Sequence, residues 1–302
     1  MKIPVQRTHL NHPGIRVLFL LPAGLSSLVL VYATLGWPMV SSASDMKPED
    51  LVVRHLDSMG TAEARAAVKT RMVQGKLTFK LLVGGRGTVE GSWGRVSEQR
   101  KANFVMRFGL GDYRGEQFVF DENKSYIAAE TGSQLRSRFG DFVHSQDYIL
   151  REGLLGGELS TAWALQNLEE NHPKLVYAGL KKIDGKQVHD LEYHSKHSTD
   201  MQIHLYFDPE TYHHVKTVYA MAFSPNMGRT VTSSVNQQEI RYTIEERFAD
   251  FKDIDGMTLP STYSIEYTQE QQNGQTIVYH WDMTADKNAE NVGLDPKNFD
   301  TK

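Results

Sequence analysis

The chain has 302 residues, 40% of them hydrophobic and 23% charged, with a formal net charge of −4 and no cysteine. That is enough chain and enough polarity for a globular fold with a sizeable core. The missing cysteine excludes disulfides, thiol nucleophiles, thiolate metal sites and a lipid-bearing cysteine, and the acidic balance argues against nucleic acid as a partner.

The first 44 residues read as an export signal. Lys2, Arg7 and Arg16 precede an apolar run from Val17 to Val40, and the small residues Ser41-Ser42-Ala43-Ser44 follow it. This is a basic region, an apolar region and a small-residue cleavage pattern, with the cut after Ser44. The apolar run is also long enough to span a bilayer, so an uncleaved N-terminal anchor is the alternative, although Pro22, Gly24, Gly36 and Pro38 weaken it as a permanent helix. Cleavage would remove three cations and no acid, taking the formal charge from −4 to −7.

Pro48, with Glu49 and Asp50 beside it, opens an amphipathic helix carrying Leu51, Val52, His55, Leu56 and Met59 on one side, and Gly60 ends it. Thr61 caps a second short helix reaching about Lys69. Strand-like runs follow at Met72–Val83, Thr88–Trp93, Glu98–Leu110, Gln117–Asp121 and Lys124–Ala129. Gly84-Gly85-Arg86-Gly87 is a turn and not a phosphate loop, since the Gly-Lys-Ser/Thr ending is missing. Leu77, Phe79, Leu81 and Val83 share one face, as do Phe104, Met106, Phe108 and Leu110, and then Phe118 and Phe120. Between Arg138 and Pro173 the period changes. Phe139, Phe142, Val143, Ile149 and Leu150, then Leu159, Trp163, Leu165 and Leu168, have the spacing of two short helices separated by Gly153–Gly157.

From Leu175 the chain becomes a meander. Asp184-Gly185 joins the first two runs, a strong hairpin signal. Met201, Ile203, Leu205 and Phe207 alternate against Gln202, His204 and Tyr206; the turn Asp208-Pro209-Glu210-Thr211 then leads to a run carrying Val215, Tyr219, Met221 and Phe223. Ser224–Gln238 reads as a long polar loop. Three more strands follow, Arg241–Lys252, Thr258–Gln269 and Thr276–Thr284, with Asp255-Gly256 and Asn273-Gly274 between them. Residues past Ala285 read as a loose tail. The predicted order is a helix pair, five strands, two helices and then seven strands joined by short turns, an α+β chain built on an antiparallel sheet.

The segments Gly179–Tyr193 (GLKKIDGKQVHDLEY), Leu205–Thr211 (LYFDPET) and Phe248–Pro260 (FADFKDIDGMTLP) are similar to recurrent hairpins of outer-membrane lipoprotein-sorting proteins. With the order of elements, the chain resembles the periplasmic LolA/LolB-like superfamily, on a divergent branch, over nearly all of residues 45–302. The resemblance implies an α+β fold in which a strongly curved antiparallel sheet of about 11–12 strands forms an unclosed half-barrel covered by short helices, a single domain with a helical lid around 139–172, together with periplasmic localisation and carriage of lipid or acyl chains. The missing lipid-bearing cysteine resembles the soluble carrier, not the membrane-bound acceptor. No position here matches that family's lid-locking basic residue.

The residues themselves offer three candidate sites. His189, His194, His197, His204, His213 and His214 crowd the meander, but His189 and His194 have opposite parity on one strand and no His-Glu-x-x-His occurs. They read as solvated surface histidines and no metal is expected, with Asp190, Glu192 and Asp208 as polar-face residues. For catalysis, Gly-x-Ser-x-Gly is absent and carboxylate pairs such as Glu245-Glu246 fall where a polar face would have them, so no enzyme and no cofactor is expected. The aromatic sheet face is the remaining candidate. Phe79, Phe104, Met106, Phe108, Phe118, Phe120, Leu205, Phe207, Tyr219, Met221, Tyr263 and Tyr267 are the ligand-binding residues expected there, with Phe142, Leu150 and Trp163 on the lid.

The expected ligand is a lipid or another acylated, hydrophobic molecule, since each buried methylene contributes roughly 0.8 kcal/mol. Envelope membrane proteins are expected as further partners, and the carrier itself as a monomer. The alternative is a non-catalytic interaction module whose concave face is filled by its own helices and whose outer surface binds another envelope protein. N-terminal sequencing of the exported protein is expected to begin at Asp45; a full-length N-terminus kept in the membrane would move the protein to the anchored class.

Overall fold

A computed structural model describes residues 46–85, 87–109, 113–121, 123–130, 136–197, 200–224 and 239–301, all within the unit of the chain that spans 43–302. The expected signal segment with its cut after Ser44, the polar loop at 225–238, Arg86 and Leu110 lie outside the described residues. Among the described residues no helix is long and apolar enough to cross a membrane.

The helix pair is α1 (Pro48–Met59) and α2 (Ala62–Ala67). The Thr61 hydroxyl accepts from the Ala64 N–H and so caps α2, while α1 turns Leu51, Val52, His55 and Met59 into the core. Five strands come next: β1 (Thr70–Val83), β2 (Gly87–Glu98), β3 (Lys101–Phe108), β4 (Gly115–Asp121) and β5 (Lys124–Ala129). Three short helices, α3 (Arg138–Ser145), α4 (Tyr148–Arg151) and α5 (Leu168–Asn171), interrupt the sheet. Seven strands complete it: β6 (Lys174–Ile183), β7 (Lys186–His194), β8 (Met201–Phe207), β9 (His214–Phe223), β10 (Ile240–Ile254), β11 (Met257–Glu270) and β12 (Thr276–Glu290).

The twelve strands form one antiparallel sheet in the order β5-β4-β3-β2-β1-β12-β11-β10-β9-β8-β7-β6. It is curved and open, with β5 and β6 at its edges. Every pairing but one joins strands consecutive in sequence. The exception, β1 with β12, sets Leu77 opposite Met283 and Phe79 opposite Trp281 and welds two meanders into one surface. The turns follow from their residues: Asp184 and Gly185 have φ of 51° and 83°, Asp255 and Gly256 54° and 82°, the paired positive φ values of a tight hairpin whose twist matches its strands. The Asp208 carboxylate accepts from the Glu210 and Thr211 N–H groups and holds the β8–β9 turn.

Three sequence expectations change. The second central helix does not form: residues 153–167 make two 3₁₀ turns, at Gly157–Leu159 and Ala164–Gln166, and only then the single turn α5. Gly156 and Gly157 take φ of 85° and 49°, and Leu154, Leu155, Leu159, Trp163 and Leu165 are all buried. Apolar residues enclosed on every side imitate a helical period without requiring one. The tail is not loose. β12 runs on to Glu290 against Arg71 of β1, Asn103 Nδ2 donates to the Asn298 carbonyl, and Phe299 is buried. On β9 the buried stripe is Thr217, Tyr219 and Met221, whereas Phe223, at the strand's end, is 42% exposed. Phe299→Ala should lower the unfolding free energy by about 3 kcal/mol in urea denaturation; an unchanged midpoint would mean that the tail does not belong to the core.

Candidate functional site

The inward stripes of β1–β4 and β8–β12 make one aromatic concave face. Phe104 stacks on Phe118 at 5.7 Å and packs edge-on to Tyr263, while Phe79 meets Phe108, Tyr279 and Trp281 at 5.3–6.0 Å. Of the twelve expected ligand residues, all but the partly buried Phe79 are buried, and the structure gathers them on this face. Phe142, Leu150 and Trp163, the residues expected on a lid, are buried with them and belong to the 138–171 segment that covers the face.

The cover docks through polar groups as well as apolar ones. Glu246 of β10, 0% exposed, accepts from the Gly156 N–H at 2.6 Å and from the Tyr219 and Tyr263 hydroxyls. Two of the expected ligand residues therefore commit their phenols to a carboxyl group. Burial pushes the Glu246 carboxyl above its ordinary 4.5, against the pull of these donors. Arg95 of β2, also buried, lies over the Phe104 ring at 4.8 Å and donates from Nη1 to the Leu155 carbonyl at 2.8 Å. Its Nε and Nη2 have no partner among the described residues. A Cβ on Gly156 would stand 2.1 Å from this guanidinium, which would have to shift, and the φ of 85° favours glycine at this position.

A second polar cluster joins the cover to α1. Trp163 Nε1 donates to His55 Nε2 at 3.0 Å, and His55 Nδ1 donates to the Tyr212 carbonyl at 3.1 Å. Two fixed hydrogen bonds of opposite sense define a neutral imidazole, and burial lowers its pKa to about 3. His214, fully buried, stacks on Trp163 at 4.9 Å and is likewise held neutral by burial. Glu158, on the cover, is 0% exposed with both carboxyl oxygens unpartnered among the described residues; His55 Nε2 is 3.8 Å away, and Arg71 donates to the Glu158 carbonyl. Desolvation raises this carboxyl well above 4.5, with Arg71 opposing.

The histidine expectation is thus corrected in part. His189 and His214 are buried, whereas His194 and His197 are exposed. Asp190 is also buried, accepting from His204 at 2.9 Å and paired with Lys181. Among the described residues no three potential ligands converge as a metal site. Glu246 is interior and not on a polar face, and strand parity contains the signal: Ile244, Glu246 and Phe248 share one face of β10. Arg95 escapes the sequence reading because the strand-like pattern ends at Trp93, whereas β2 runs to Glu98 and places Arg95 two residues on, inward like Trp93.

No protein-family model matches the sequence, and no curated protein matches it. Similar solved structures include a DUF1329 family protein from Desulfovibrio piger, at 14% identity and TM-score 0.46 over 84% of this chain and 95% of that one. A putative outer membrane lipoprotein-sorting protein domain from Vibrio parahaemolyticus aligns at 13% identity and TM-score 0.40, over 84% and 97%. A LolA superfamily protein from Nitrosomonas europaea aligns at 12% identity and TM-score 0.43, over 84% and 98%. The assignment of the fold itself rests on the strand order and open edges described above.

The buried carboxyls set a pH dependence. A carboxyl whose folded pKa lies above 4.5 keeps its proton after the unfolded chain has lost it, so stability falls as pH rises from 4.5 through the folded pKa. His55 and His214 act oppositely, adding stability as pH rises towards 6.5. The comparison is therefore made by difference. Relative to Glu158→Gln, the wild type should lose up to about 1.4 kcal/mol per pH unit above 4.5 until the folded carboxyl ionises, read by urea denaturation across pH. A difference that does not change with pH would place an ionised Glu158 in the fold.

Proposed function

We propose that this chain is an exported, non-catalytic carrier for a lipid, for lipoprotein acyl chains or for another hydrophobic ligand, which lies on the concave face when the 138–171 segment moves aside. It acts in the periplasm as a monomer after loss of residues 1–44, receiving and passing its ligand at envelope membrane proteins. The twelve face residues and the three lid residues supply shape and apolar contact.

One observation carries this reading: the cover meets an apolar face through buried ionisable groups that it satisfies only in part. Arg95 keeps one bond to the cover and two unpartnered nitrogens, and both Glu158 oxygens lack a donor among the described residues. In a permanent core such groups cost free energy that well-packed apolar residues would not. A cover that must leave and return tolerates them, because lifting it rehydrates Arg95 and Glu158 and so offsets part of the penalty for wetting the apolar face. Irregular backbone at 153–167, hinged by Gly153 and Gly156 at positive φ, gives the segment a means to move.

A second reading has its own support. Phe139, Ile149, Leu154 and Trp163 are completely buried, as in a face filled by its own cover, leaving the outer surface to bind another protein. Native mass spectrometry separates the two: co-purifying lipid favours the carrier, and lipid-free protein that also fails to take up a fatty acid favours the interaction module. The gate has a separate test. Ser125 Oγ donates to Asp147 Oδ2 at 2.8 Å, linking β5 to the start of α4. Oxidised cysteines in the double variant Ser125→Cys and Asp147→Cys should block uptake of cis-parinaric acid, with recovery on reduction. Unchanged uptake, with the bond verified by mass, would rule out this segment as the gate.

A further inference from the structure

Resting on the carrier reading, we infer that the cavity beside α3 receives the charged head of an anionic, singly acylated amphiphile, with Arg138 as its counter-ion and the acyl chain directed along the aromatic face. The cavity, about 310 Å³, has walls of Phe142, Tyr242, Tyr267 and Phe223, with Arg138 also lining it. That volume is at the lower end for ligand pockets, about 300–1,000 Å³, and suits a head group with the first part of a chain.

Its aromatic walls are continuous. Phe223 packs edge-on to Tyr242 at 5.7 Å, Tyr242 meets Phe142 at 5.1 Å, and Phe142 meets Tyr267 at 6.1 Å. From Tyr267 the line continues through Phe139 at 6.1 Å to Trp281 at 5.0 Å, the middle of the covered face. An apolar path thus runs from the exposed edge inward. Phe223, 42% exposed at the end of β9, is a large ring that the fold leaves half in water.

The charge is equally local. Arg138 donates to Gln269 Oε1 at 3.1 Å, and among the described residues no carboxylate lies within ion-pair distance of it. Asp141, on the same helix and also lining the cavity, is engaged by Arg136 at 3.0 Å. Burial holds the Tyr267 and Tyr279 phenols above their ordinary pKa, so both stay neutral beside the site and add no negative charge. A cation next to an aromatic slot, with neutral phenols beside it and the carboxylate that lines the cavity already engaged by Arg136, fits an anion joined to a chain.

Equilibrium fluorescence binding of cis-parinaric acid and of its uncharged methyl ester, at a pH where the acid is ionised, tests the inference. Wild type should bind the acid more tightly than the ester. Arg138→Gln should weaken the acid about ten- to hundredfold, the range of a charge-assisted hydrogen bond, and leave the ester unchanged; Phe223→Ser should weaken both. Displacement by palmitate but not by lysophosphatidate assigns a carboxylate head, and the reverse a phosphate. If wild type binds both probes and Arg138→Gln changes neither, or both equally, the head-group site is overturned while the carrier reading stands. If wild type binds neither probe, the carrier reading falls and this inference with it.

Discussion

The pairing of β1 with β12 is the constraint on which the architecture depends. Every other ladder joins strands consecutive in sequence, and each is a local event. Without this one long-range pairing, β1–β5 and β6–β12 would be two smaller sheets, each with an apolar face too small to form a common hollow. With it, Phe79 and Leu77 abut Trp281 and Met283, and one aromatic face runs from β4 to β8. A single face of that extent cannot be left to water, and the 138–171 segment is the material that covers it.

How that segment sits on the sheet follows from its composition. It has too little regular structure to satisfy its own backbone, so side chains of the sheet do so instead: Glu246 receives the Gly156 N–H, Arg95 donates to Leu155, and Arg71 donates to Glu158. Placing charged groups in an apolar interior costs desolvation, and here their compensation is incomplete. Stability near this interface therefore depends on protons as well as on packing. His55 must be neutral to accept from Trp163, and burial where it has no donor favours the protonated form of Glu158. Packing, docking and protonation are thus one coupled problem on this face.

Much of this was legible in the sequence, residue by residue. Alternation named the inward stripes of β3, β4 and β8, because a half-covered antiparallel strand must segregate its side chains by parity. The Asp-Gly dipeptides named their turns because few residues tolerate consecutive positive φ. The polar half of the site was less legible. Glu246 and His214 look like surface residues in a window of neighbours, and only strict parity along a complete strand assigns Glu246 to the interior. Phe223 failed in the opposite direction, its parity being inward but its position beyond the cover.

What the sequence determined by itself was the class of fold, the order of its elements and the apolar face, all consequences of short-range periodicity and turn chemistry. The tertiary structure alone decided that β1 meets β12, that residues 153–167 cover the face as irregular chain instead of a helix, and that Arg95, Glu158 and Glu246 are buried beneath it. These depend on which groups lie opposite one another after closure across more than a hundred residues. Local propensity does not encode that, since an arginine or a glutamate has the same intrinsic preferences in water and in a core, and only the finished enclosure removes the water.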